Sequence, residues 1–184
     1  VEFRHQVSID APPDSVLAFL SRVEHVAECL PGARITKSTG NDRHEGTVRA
    51  KLTAVQVTLT GELVWSVDSA TKTVSLDGHG HDSIRGNSAS GLIAVTVEND
   101  RDGGSLLQVD SRIDVSGRLA RLGQGFISDV AARIITDFAR SVQSRVTGDP
   151  RSAPTVPDVL DVGSATAGAV KDRATRFLKG FGRK

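Results

Sequence analysis

The sequence predicts an α+β domain in which a curved antiparallel sheet of about seven strands wraps one long helix. Two short helices are expected directly after the first strand. Residues 117–146 supply the first observation. Leu119, Leu122, Phe126, Val130, Ile134, Phe138, Val142 and Val146 recur at steps of three and four, and Ile127, Ala131 and Ile135 form a second apolar row beside them. Arg121, Asp129, Arg133, Asp137 and Arg140 fall largely off that stripe, which is the pattern of an amphipathic helix with a wide buried face. From residue 124 to 146 it would run about 34 Å at its full rise. The second observation is that nearly everything upstream alternates with period two, so the stripe has only a sheet to bury itself against.

The elements follow in order. In residues 1–10, Phe3, His5, Val7 and Ile9 share one face and Arg4, Gln6 and Ser8 the other, a half-buried strand. Pro12-Pro13-Asp14 opens a helix, since proline is tolerated in a first turn and an acid suits the positive end of the helix dipole. Val16, Phe19 and Leu20, then Val23, Val26 and Leu30, make two short amphipathic segments that stop at Pro31-Gly32. A meander comes next: residues 33–39, a turn at Gly40-Asn41-Asp42, residues 44–52, 55–67, 73–80 and 88–98, a turn at Asp102-Gly103-Gly104, and a last strand through Val115. Strand 55–67 is the clearest, with Val57, Leu59, Gly61, Leu63, Trp65 and Val67 on one face and Thr58, Thr60, Glu62 and Ser66 on the other. Residues 1–147 therefore read as one domain and 148–163 as a spacer, because Pro150, Pro154 and Pro157 favour an extended chain that could reach about 50 Å. Residues 164–184 form a separate tail.

Bulk properties narrow the class. The 184 residues are 38% apolar but poor in aromatics, with one Trp, six Phe and no Tyr. A single cysteine, Cys29, excludes an intrachain disulfide framework and fits a reducing compartment. No apolar run reaches the length of a membrane span, and the amino end does not resemble a signal peptide. The net charge of +1 is uneven: residues 1–147 carry 16 basic and 18 acidic side chains, whereas residues 164–184 carry six and one. The positive charge belongs to the tail, and no nucleic-acid partner is expected of the domain.

Three local stretches carry a family likeness. Cys29-Leu30-Pro31-Gly32 follows the second short helix, Gly78, Gly80, Gly86 and Gly91 mark a glycine-rich strand pair, and Gly117-Arg118-Leu119-Ala120-Arg121-Leu122-Gly123 leads into the long helix. Together they resemble the carbon monoxide dehydrogenase CoxG family over residues 1–147. The order of elements is similar to the helix-grip fold of the START and Bet v 1-like (SRPBCC) superfamily. His79 and His81 stand where family members often have lysine and further glycine, so a role for that loop does not carry over. The resemblance implies a non-enzymatic accessory protein of a molybdenum-containing carbon monoxide dehydrogenase-type oxidoreductase, associated with its recruitment to the membrane. The superfamily binds apolar ligands between sheet and helix.

Such a space would be lined here by Leu30, Val48, Ala50, Leu59, Leu63, Trp65, Ile93, Phe126, Ile127, Val130 and Ile134, with inward glycines leaving room. The alternative is a solid core. His5 shares the inward face and offers a ligand carbonyl one hydrogen bond, unless the backbone already satisfies it. His79 and His81 with Asp82 lack the further ligands of a stable metal site. Cys29 has no recognisable base beside it and reads as a small buried side chain. In the tail, Val170, Phe177, Leu178 and Phe181 fall in one helical arc, with Arg173, Arg176, Lys179, Arg183 and Lys184 outside it and Lys171 at its edge. That composition suits an anionic membrane surface at the cytoplasmic face of the cell membrane, bound peripherally; a partner-docking helix or a disordered basic tail is the alternative. The expected ligand is noncovalent, an isoprenoid quinone such as menaquinone or another lipid, with a ligand-free tether or a polyketide cyclase-like enzyme as alternatives.

Overall fold

The computed structural model describes residues 1–148 and 155–163. β1 (Glu2–Ile9) leads into α1 (Pro13–Leu20) and α2 (Val23–Ala27), and then into β2 (Ala33–Gly40), β3 (Arg43–Leu52), β4 (Val55–Asp68), β5 (Thr73–Asp82), β6 (Asn87–Asn99) and β7 (Ser105–Ser116). A 3-10 turn, Leu119–Leu122, precedes α3 (Gln124–Thr147). The strands form one antiparallel path in the order β1-β7-β6-β5-β4-β3-β2, so the meander closes back on the first strand. Every element predicted within residues 1–147 is present. Pro13 sits in the first turn of α1 with Asp14 beside it, where the missing N–H costs nothing and the acid faces the helix dipole.

Burial divides the interior in two. The main core joins Val16 and Leu20 of α1, Val23 and Val26 of α2, Trp65, Val74, Val97 and Leu107 of the sheet, and Phe138, Ala139 and Val142 of α3. Only the C-terminal half of α3 takes part. It is pinned there by Arg145, whose Nη1 donates to Glu28 Oε2 at 2.6 Å, and by Gln143 Oε1, which accepts from the Asp10 amide at 3.1 Å. A second, smaller core gathers Ala50, Val57 and Leu119, with Leu122, Val115 and Leu160 packed on it. The two leucines of the 3-10 turn thus close one end of the sheet.

The spacer differs from its expected form. Residues 155–163 lie back against the sheet, and β8 (Leu160–Asp161) pairs in parallel with Ala50 and Lys51 of β3. Pro157 accepts from the Gly32 amide at 3.0 Å, Lys51 accepts from Val162 at 2.9 Å, and Arg34 meets Asp158 at 2.6 Å. β8 fills the stretch of β3 edge left free where β2 begins opposite Val48. The expected 50 Å reach from residue 148 is therefore corrected, because half of the segment is hydrogen-bonded to the domain. Gly32 makes the junction possible: its φ is +76°, and a side chain there would overlap the Arg49 carbonyl and crowd Leu160.

Candidate ligand cavity

Register, more than any single residue, creates the cavity. Gly46, Gly61, Gly80 and Ala89 lie side by side across β3, β4, β5 and β6, and Gly78 and Gly91 are neighbours in the next inward row. Each strand was bound to present something inward at these positions, and four adjacent strands present almost nothing. Leu63 with Trp65, Leu76 and Ile93 bound this floor on one side, Leu59 and Val48 on the other. The wall opposite comes from Val23, Val26, Ala27 and Leu30 of α2 and its following turn. The result is an open apolar cavity of about 390 Å³, within the range of small-molecule sites. Val48 stays 42% exposed although it faces inward, which marks it as part of the mouth. A depression of about 570 Å³ on the opposite face of the sheet is larger but shallow, and the Arg4–Asp110 and Arg112–Glu2 ion pairs line it; it has no apolar enclosure.

Six of the expected lining residues come together here: Leu30, Val48, Leu59, Leu63, Trp65 and Ile93. Six do not. Ala50 belongs to the smaller core, because its register opposite Val57 carries it past the glycine rows. His5 is half-buried on β1 opposite Val109 and is not on the cavity wall, since β1 joins the sheet on the far side of β7. Phe126, Ile127, Val130 and Ile134 are half-buried, belong to neither core and line none of the cavity. The first turns of α3 contribute no buried residue, in contrast to the turns around Phe138 and Val142. The residues that sequence reasoning missed include the α2 wall, Val23, Val26 and Ala27, the floor positions Gly46 and Ala89, and Leu76 at its border. The apolar spacing of α2 was visible, but that it faces the glycine floor across the cavity needs the three-dimensional arrangement.

Polar groups near the cavity are few. The Trp65 indole N–H is buried without a protein acceptor. Cys29 is 1% exposed, and burial pushes its thiol up to about 11, which leaves it protonated and a poor nucleophile. His79 and His81 are exposed on the outer phase of β5. Burial penalises the Asp82 charge, but the amides of Arg85, Thr58 and Ile84 and the Arg85 guanidinium outweigh it and hold the carboxyl below its ordinary range. The residues expected to contact a membrane, Val170, Lys171, Arg173, Arg176, Phe177, Leu178, Lys179, Phe181, Arg183 and Lys184, lie outside the described residues. Among the described residues no helix is long and apolar enough to cross a membrane.

A curved antiparallel sheet that packs a long C-terminal helix and, beside it, encloses an open apolar cavity under α2 has the START-like helix-grip fold. Similar solved structures include a conserved protein from Geobacillus kaustophilus, 15% identical with a TM-score of 0.71 over 80% of this chain and 96% of that one. A START superfamily protein from Mycobacterium smegmatis is 14% identical, with a TM-score of 0.58 over 80% and 97%. The human StarD13 lipid transfer and protein localization domain is 18% identical, with a TM-score of 0.52 over 77% and 76%. A comparison with curated proteins finds no match. The family model for CoxG, the G subunit of carbon monoxide dehydrogenase, matches residues 6–147, and the chain belongs to that family.

Proposed function

We propose that this protein is a non-enzymatic, peripheral membrane accessory that carries a lipophilic molecule between the bilayer and a carbon monoxide dehydrogenase-type oxidoreductase. The observation that carries the reading is the glycine floor. Gly46, Gly61 and Gly80 keep the floor bare, and a large side chain at Gly91 would extend into the space that the sheet leaves open beneath an apolar wall. Family membership supports the oxidoreductase as partner, and the composition of residues 164–184 supports attachment at the cytoplasmic face.

An isoprenoid quinone such as menaquinone is the ligand that best fits this place in electron flow. A soluble dehydrogenase must pass electrons to a carrier dissolved in the bilayer, and an isoprenoid tail cannot leave it unaided at about 0.8 kcal/mol per methylene. The cavity supplies an apolar shelter for such a molecule, with its tail leaving by the open mouth at Val48. The test is organic extraction and chromatography of the full chain purified from a quinone-containing host, with native mass spectrometry in parallel. Recovered quinone at near-stoichiometric amounts is expected. Phospholipid or fatty acid without quinone would overturn the quinone assignment, and an empty cavity would leave a ligand-free tether as the function.

A further inference from the structure

One end of the molecule carries an exposed apolar and basic tip that the cavity does not use. Ile84, at the β5–β6 turn, is 87% exposed, far more than any other large apolar side chain among the described residues. Arg85 follows it, and Arg118 and Arg121 are exposed on the turn between β7 and α3. No acidic residue occurs in 83–86 or in 115–128. Asp82, at the base of the β5–β6 turn, is buried and held by three amides, with Arg85 Nη1 at 3.9 Å, and Asp161 meets Lys51 at 3.7 Å, while the exposed Asp114 and Asp129 flank the second turn on either side.

The two turns are locked into one unit. The Arg118 amide donates to Asn87 Oδ1 at 2.8 Å, and Gly117, at φ +69°, packs so closely on Gly86 and Asn87 that no side chain would fit. The described chain reaches Gly163 at this same end. Val162 donates to Lys51, Gly163 rests on Thr53 of the β3–β4 turn, and the Thr58 amide reaches Asp82 at the base of the β5–β6 turn. The 21 residues that follow carry six basic side chains and one acid.

We propose that the tip formed by Ile84, Arg85, Arg118 and Arg121 is a second contact with an anionic bilayer, seating the end of the domain on the membrane beside the tail. It rests on the membrane-carrier reading above for its purpose but not for its evidence. A branched aliphatic side chain at a turn apex, with three exposed guanidinium groups on the two joined turns, matches an interface that offers lipid phosphates above and acyl chains below. The inner side of the same turn carries Leu119 and Leu122, which close this end of the sheet.

The test uses the full chain with an environment-sensitive fluorophore on Ile84→Cys, and on Leu92→Cys at the outer sheet face as control. Native Cys29 is buried and protonated and labels slowly. With phosphatidylglycerol–phosphatidylcholine vesicles the label at 84 should shift to the blue and that at 92 should not; pure phosphatidylcholine should give little change. Replacing Arg85, Arg118 and Arg121 by alanine should weaken vesicle affinity by about fivefold each and on the order of a hundredfold together. Trp65 emission, from the only tryptophan, verifies the fold of each variant. A label at 84 that stays in water while the chain binds vesicles would overturn the proposal, as would an unchanged affinity of the triple variant. A blue shift at 84 in protein whose extract holds no lipid would support the tip and count against the carrier.

Discussion

Gly91 and Gly61 lie in neighbouring inward rows, yet they play different parts. A Cβ at Gly91 would meet the Arg112 carbonyl oxygen and Ile113 at 3.6 Å, ordinary contact, so a larger side chain there extends into the cavity. A Cβ at Gly61 would overlap the His79 carbonyl and the Gly80 backbone. Gly91→Leu should therefore leave the melting temperature within a few degrees of the parent and remove extractable ligand. Gly61→Ala should destabilise by about 1–3 kcal/mol, the cost of forcing extra volume into a packed site, and urea denaturation of both variants checks the contrast. Equal loss of stability in the two would mean that the glycines serve strand packing alone. The sequence displayed the glycines of β5 and β6 plainly. What it could not display was that Gly46, Gly61, Gly80 and Ala89 stand in one row, because alternation assigns a face and says nothing of which residue lies across.

Elements were legible as elements, and their partners were not. The apolar stripe of α3 has the same period throughout, but only the turns from Phe138 onward find α1, α2 and β1 to pack against. Periodicity records a face; it does not record what covers it. The spacer departs from expectation for a related reason. Proline cannot donate to a ladder, so a proline-rich stretch reads as unpaired chain, yet Pro157 joins through its carbonyl, which proline retains. Val156, Leu160 and Val162 were the available signal. Gly32 and Gly40 give the test. Both have positive φ, +76° and +82°, but nothing lies within 4 Å of a Cβ at Gly40. Gly40→Ala should cost only the left-handed strain, at the low end of about 1–3 kcal/mol. Gly32→Ala should cost more and should speed hydrogen exchange at Val162, since the added methyl displaces the strand that amide is bonded through. If exchange at Val162 is unchanged, β8 does not depend on the junction at Gly32.

At the scale of the whole molecule, the order strand, two helices, six strands and long helix was enough to reach the fold, and the motifs around Cys29 and Gly117 to reach the family. Separating domain from tether needed the structure, and it moves the useful boundary from residue 147 to residue 163. A chain ending at Gly163 keeps β8 and the Leu160 side chain on the smaller core; a chain ending at Thr147 loses both. The first should match the full chain in stability. The second should be weaker by up to about 1.5–3 kcal/mol, the worth of a fully buried leucine, and by less in proportion to the partial burial of Leu160. Vesicle pelleting should divide the three chains differently. The chain ending at Gly163 loses six basic residues and the chain ending at Thr147 seven, each contributing about 1 kcal/mol at most near an anionic surface, so both should lose most binding and show a shallower salt dependence. Stability that falls only below residue 163, with binding that falls as soon as 164–184 is removed, would assign the docked strand to the fold and the tail to the membrane. Undiminished pelleting of the chain ending at Gly163 would take the anchor away from the tail and leave the tip at Ile84 as the principal contact.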